Sequence, residues 1–89
     1  ISFVDKFKEQ AVRAVNRAKE VVGKAGLTCE TRVEVGAAPA DNIVKYAEES
    51  QTDLIVVGHR GLSGLDRFLV GDVAARVVAH APCSVLVVR

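Results

Sequence analysis

Apolar positions Val4, Phe7, Ala11, Val15, Ala18 and Val22 recur at steps of three and four, which places them on one face of a helix. Ser2 with Asp5 reads as a capping box at its start, and Gly23 and Gly26 are expected to close it. From Leu27 to Val35 the period drops to two. Leu27, Cys29, Thr31, Val33 and Val35 share one face, Glu30, Arg32 and Glu34 the other, which predicts a strand wet on one side and near a sheet edge. Gly36 turns the chain, Pro39 suits a first helical turn, and Asp41 favours the positive end of a helix that carries Ile43, Val44 and Ala47 and ends near Ser50. Leu54–Val57 is apolar at every residue, as expected of an interior parallel strand covered by helices on both faces. Leu65, Phe68 and Leu69 predict a short helical turn. A second helix is expected to open near Gly71, pack Val73, Val77 and Val78 inward, and stop at Pro82. Ser84–Val88 is the final strand. Strand, helix, strand, helix, strand is the grammar of an open parallel sheet, with ligands expected beyond the carboxyl ends of its strands.

Composition narrows the function classes. The 89 residues make one domain at most, with a folding stability of about 4–13 kcal/mol. No apolar run approaches the ~18 residues of a membrane span. A net charge of +1 gives no field that favours nucleic acid, and Phe3, Phe7, Tyr46 and Phe68 are scattered rather than set as a stacking platform. Lys6, Lys8, Arg13, Arg17, Lys19 and Lys24 alternate with acidic and polar groups on the first helix, which reads as a solvated surface rather than a membrane anchor. Cys29 and Cys83 match no C-x-x-C pattern and there is no cleavable secretory segment, so a cytoplasmic location with reduced thiols is expected. His59 and His80 add no metal-ligand spacing. The chain has no methionine, so residues upstream of Ile1 are expected.

The candidate chemistry lies in "DLIVVGHRGLSGLDRFLVGDV", Asp53 to Val73. Gly58 follows a strand, and a helix opening at Gly71 would direct unpaired N–H groups and a positive dipole end at an anion. Glycine suits such a site because it has no Cβ to hold a ligand away from backbone amides. The spacing matches neither G-x-x-x-x-G-K-[ST] nor G-x-G-x-x-G. Spacing alone therefore leaves two readings open: a phosphate loop, or a tight strand-to-helix turn. Catalysis finds little support. His80 ends a helix and Pro82 separates it from Cys83, which reads as a small core residue. Glu48 and Glu49 adjoin rather than face each other.

The stretch "DLIVVGHRGLSGLDRFLVGDVAARVVAHAPCSVLVV" resembles the end of universal stress proteins, whose nucleotide-binding members carry G-x2-G-x9-G followed by Ser or Thr; Gly58, Gly61 and Gly71 meet that spacing. "VEVGAAPADNIVKYAEESQTDLIVVG" extends the likeness over nearly the whole chain. The resemblance implies an adenine-nucleotide alpha-hydrolase-like, Rossmann-like α/β domain over residues 1–89, and a cytosolic stress-response module that signals by binding rather than catalysis. Val57, Gly58, Arg60, Gly61, Gly71, Asp72 and Val73 would line the phosphate and ribose side of an ATP site, with Mg²⁺ or Mn²⁺ accompanying the nucleotide. It also implies a homodimer through the last strand, at Ser84, Val85 and Val87, beside the composition, which argues for no nucleic-acid and no membrane partner.

Two departures qualify that transfer. Asp72 stands where ATP-binding members have a hydroxyl, and an ionised carboxylate accepts hydrogen bonds but cannot donate one to a phosphate. At ~4 Å and an effective dielectric of ~20 the like-charge pair costs about 4 kcal/mol, roughly a thousandfold in affinity, of which Arg60, Arg67 or a cation would offset part. A carboxylate at a helix start is also a good cap, so Asp72 is a candidate substitute for the anion in a dimerisation or protein-interaction module that binds no ATP. The second departure is length: against the family's pattern the first two strands and the first helix are missing, and those strands lie between the segment at Thr28–Val35 and Leu54–Val57.

Overall fold

A computed structural model describes residues 3–36, 38–58 and 67–89, with only the backbone course described at 3, 4 and 67–71. The described elements are α1 (Phe3–Lys24), α2 (Pro39–Glu49), β1 (Leu54–Gly58), α3 (Arg67–His80) and β2 (Ser84–Val88). The chain divides into two compact units, Ile1–Gly36 and Ala37–Arg89.

The first unit is α1 and the segment after it. Asp5 in the first turn and Lys24 in the last complement the helix dipole. Of the expected face Ala11, Val15 and Val22 are half-buried, while Phe7 and Ala18 are exposed; Ala14, outside that set, is half-buried as well. The helix runs past Gly23, and Gly26 closes it. Gly26 has φ +79°, its N–H donates to the Gly23 carbonyl (3.0 Å), and the Leu27 N–H donates to the Val22 carbonyl (3.1 Å). This reciprocal pair is a Schellman closure, which uses carbonyls the helix end would otherwise leave unpaired. A Cβ on Gly26 would meet nothing within 4 Å, so the cost of a side chain there is conformational alone. Gly26→Ala is expected to destabilise this helix end by about 1–2 kcal/mol, read as a lowered denaturation midpoint or increased fraying at residues 22–27 by amide exchange.

Residues 27–35 correct one expectation. They form neither helix nor strand, and among the described residues only β1 and β2 pair. The alternation survives in part. Cys29 and Val33 are half-buried, and Arg32 Nε lies 3.0 Å from Glu34 Oε1, two residues apart on the polar face. A strand, however, also needs a neighbour to accept and donate its ladder hydrogen bonds, and the first unit contains no described strand to pair with.

The second unit is built on a βαβ pair. β1 and β2 run parallel in a two-stranded sheet, with Leu54 opposite Ser84, Val56 opposite Leu86 and Gly58 opposite Val88. α3 packs against both strands and against α2. Ala40, Ala47, Ile55 and Val77 form the buried cluster, flanked by Ile43, Val73, Ala81, Cys83 and Val85. Alanines at 40, 47 and 74 are all buried, and their small side chains let α2 and α3 approach closely. Cys83 is accordingly a flank of the core, and it is a free thiol.

Three further expectations change here. The helices cover one face of the sheet, that of Ile55, Val57 and Val85. Leu54, Val56, Leu86 and Val88 are exposed, so among the described residues β1 is covered on one face and not on both. Val78 is also exposed: consecutive helical residues point about 100° apart, so it cannot share the inward direction of fully buried Val77. Finally, α3 is continuous from Arg67, with Gly71 as its fifth residue. Positions 69, 73 and 77 keep one helical spacing through the glycine, whose interior cost of about 1 kcal/mol relative to alanine does not break a fourteen-residue helix.

α2 starts with Pro39 at its N-terminus, as the sequence predicts, and ends in a second Schellman closure. The Gln51 N–H donates to the Glu48 carbonyl (3.3 Å) and the Thr52 N–H to the Ala47 carbonyl (3.0 Å), while Ser50 Oγ donates to the Tyr46 carbonyl (2.6 Å). Gln51 takes φ +53°, a region in which L side chains are strained. Gln51→Gly is therefore expected to stabilise the second unit by about 0.5–1 kcal/mol, the relieved strain exceeding the added unfolded-state entropy; a raised denaturation midpoint checks it.

Candidate functional site

The glycine segment begins where the sheet ends. β1 closes on Val57 and Gly58, and the parallel register brings Gly58 level with Val88, so both strands finish at one edge. Residues 81–83 are all that join His80 to Ser84, which holds the C-terminus of α3 at the amino end of β2. α3 thus runs back along the sheet and its N-terminus, at Arg67, lies on the carboxyl side of the strands. In a parallel α/β unit that side is where ligands bind, because strand ends and helix starts leave backbone groups unpaired there.

The site residues read from the sequence fall into three groups. Val57 and Gly58 end β1; Val57 is half-buried on the helix-covered face and Gly58 is exposed. Arg60 and Gly61, with His59 and Gly64, lie outside the described residues. Gly71, Asp72 and Val73 lie in the second turn of α3: Asp72 is exposed, whereas Val73 is half-buried and packs on the core cluster.

The helix boundary changes the local chemistry. Within α3 the amides of residues 67–69 have no intrahelical carbonyl to meet, and the Gly71 N–H falls to the carbonyl of residue 67. Asp72 is not a cap, because α3 has no acidic residue in its first turn. Its carboxylate instead stands one turn inside the helix and toward solvent. Two devices were not legible from residue types. The start of α3 at Arg67 would have required weighing the 69–73–77 spacing above the glycine. The left-handed Gln51 has no sequence signal of its own, since glycine or asparagine is the usual residue there.

Elsewhere a cavity lined by Asp5, Lys8, Glu9, Val12 and Arg13 runs along α1; its two acids balance its two bases, so it has no preference for an anion. Among the described residues no group of three or more His, Cys, Asp or Glu is placed to hold a metal ion, and no helix is long and apolar enough to cross a membrane. Glu48 and Glu49 are exposed on α2.

Comparison with known proteins agrees over nearly the whole length. The model of the universal stress protein family matches residues 3–89. Proteins of Staphylococcus aureus strains USA300, NCTC 8325 and COL that carry universal stress protein names are each 44% identical to the chain over 88 residues, which is 98% of this chain and 53% of the relative. The chain spans about half the length of these curated relatives.

Proposed function

Because the chain belongs to the universal stress protein family, we propose that it is a stress-response module whose segment from Gly58 to Gly71 takes an adenine nucleotide and which signals by binding, without catalysis. The observation that carries this reading is the common carboxyl edge of β1 and β2, with Gly58 at its rim and the start of α3 on the same side. Val57 and Gly58 would border the ribose and phosphates from the strand. Arg60, Gly61 and the start of α3 would meet the phosphates, with Mg²⁺ or Mn²⁺ sharing their charge. The broader architecture in this reading is the adenine-nucleotide alpha-hydrolase-like sheet, completed by strands beyond those described, in the cytoplasm.

A partner surface belongs to the same proposal. β2 is an edge strand, and its free backbone groups can extend the sheet into a second copy, with Ser84, Val85 and Val87 at the junction. A lysine at Val87 would add charge repulsion across that junction. Val87→Lys is expected to shift the chain toward monomer in sedimentation velocity, and an unchanged distribution would remove the last strand from the interface.

A second reading has its own support. Since α3 begins at Arg67, the amides of residues 71–73 are committed to the helix, and Asp72 presents a carboxylate near the entrance to the segment. These features favour an interaction module of the same fold that excludes nucleotide. Calorimetric titration of the chain, its mass verified, with ATP and Mg²⁺ separates the two. Micromolar binding is the expected result for the nucleotide reading, and an absence of heat leaves the interaction module.

A further inference from the structure

No further inference is drawn: the strongest candidate, the exposed apolar face of the β1–β2 sheet formed by Leu54, Val56, Leu86 and Val88, carries nothing because nothing in the structure shows what covers it.

Discussion

Replacing Val77 with aspartate is expected to abolish the cooperative unfolding of the second unit, while the same replacement at the adjacent Val78 leaves it nearly unchanged. Val77 is 0% exposed and sits with Ala40, Ala47 and Ile55 at the centre of the buried cluster; Val78, on the same helix, is 53% exposed. The two substitutions have equal intrinsic helix cost, so their difference isolates burial. Trimming Val77 to alanine would already remove about 1–3 kcal/mol of transfer and cavity energy. An aspartate must additionally be desolvated with no polar partner, or be protonated to enter, which costs several kcal/mol more. Against about 3–8 kcal/mol for the 53 residues of the second unit, Ala37–Arg89, that sum is of the same size as the whole stability of the unit. Far-ultraviolet circular dichroism on heating gives the answer: Val78→Asp keeps the transition of the native chain, and Val77→Asp loses the helical signal and the transition that belong to α2 and α3, beyond the contribution of α1. Equal melting of both variants would mean that α3 does not pack through Val77.

The contrast between those neighbouring valines also shows what a sequence carries and what it leaves open. Boundaries set by local chemistry were legible: Pro39 at the start of α2, Pro82 ahead of β2, and the five apolar or small residues Ser84–Val88 that form β2. These depend on a missing N–H, a fixed φ or a stiff branched side chain, all properties of the residue itself. Features that depend on a neighbour were not. The alternation of residues 27–35 states which face would be buried, but says nothing about whether another strand lies alongside. Leu54–Val57 is apolar on both faces, yet Ile55 is buried and Val57 half-buried while Leu54 and Val56 are exposed. Gly71 is ambiguous in a different way. Glycine tolerates a helix start and, at about 1 kcal/mol, a helix interior, so the choice rests on the spacing around it. The candidate site inherits this division. The glycine spacing and the strand end at Gly58 were readable, whereas the state of each amide depends on where α3 begins.

That dependence makes Asp72→Ser the substitution with the largest expected effect on ligand binding. Asp72 is exposed in the second turn of α3, close to the helix end that would receive phosphate. An ionised carboxylate ~4 Å from a phosphate oxygen opposes binding by about 4 kcal/mol at an effective dielectric of ~20, and by about 1 kcal/mol if water fully screens the pair. Serine removes the repulsion and adds a hydroxyl donor. ATP affinity is therefore expected to rise by at least about fivefold, and toward a thousandfold where the nucleotide excludes water from the pair. Asparagine at the same position separates the two contributions, since it removes the charge while keeping the size. If repulsion dominates, Asp72→Asn recovers most of the gain, and the advantage over the native chain shrinks as salt shortens the screening length to ~3 Å near 1 M. If the hydroxyl dominates, only serine gains, and salt matters little. Titration of the three chains with ATP and Mg²⁺ at low and high salt reads both quantities. Equal affinities throughout would place Asp72 away from the phosphates and shift the site toward Arg67 and the start of α3, where the unpaired amides are.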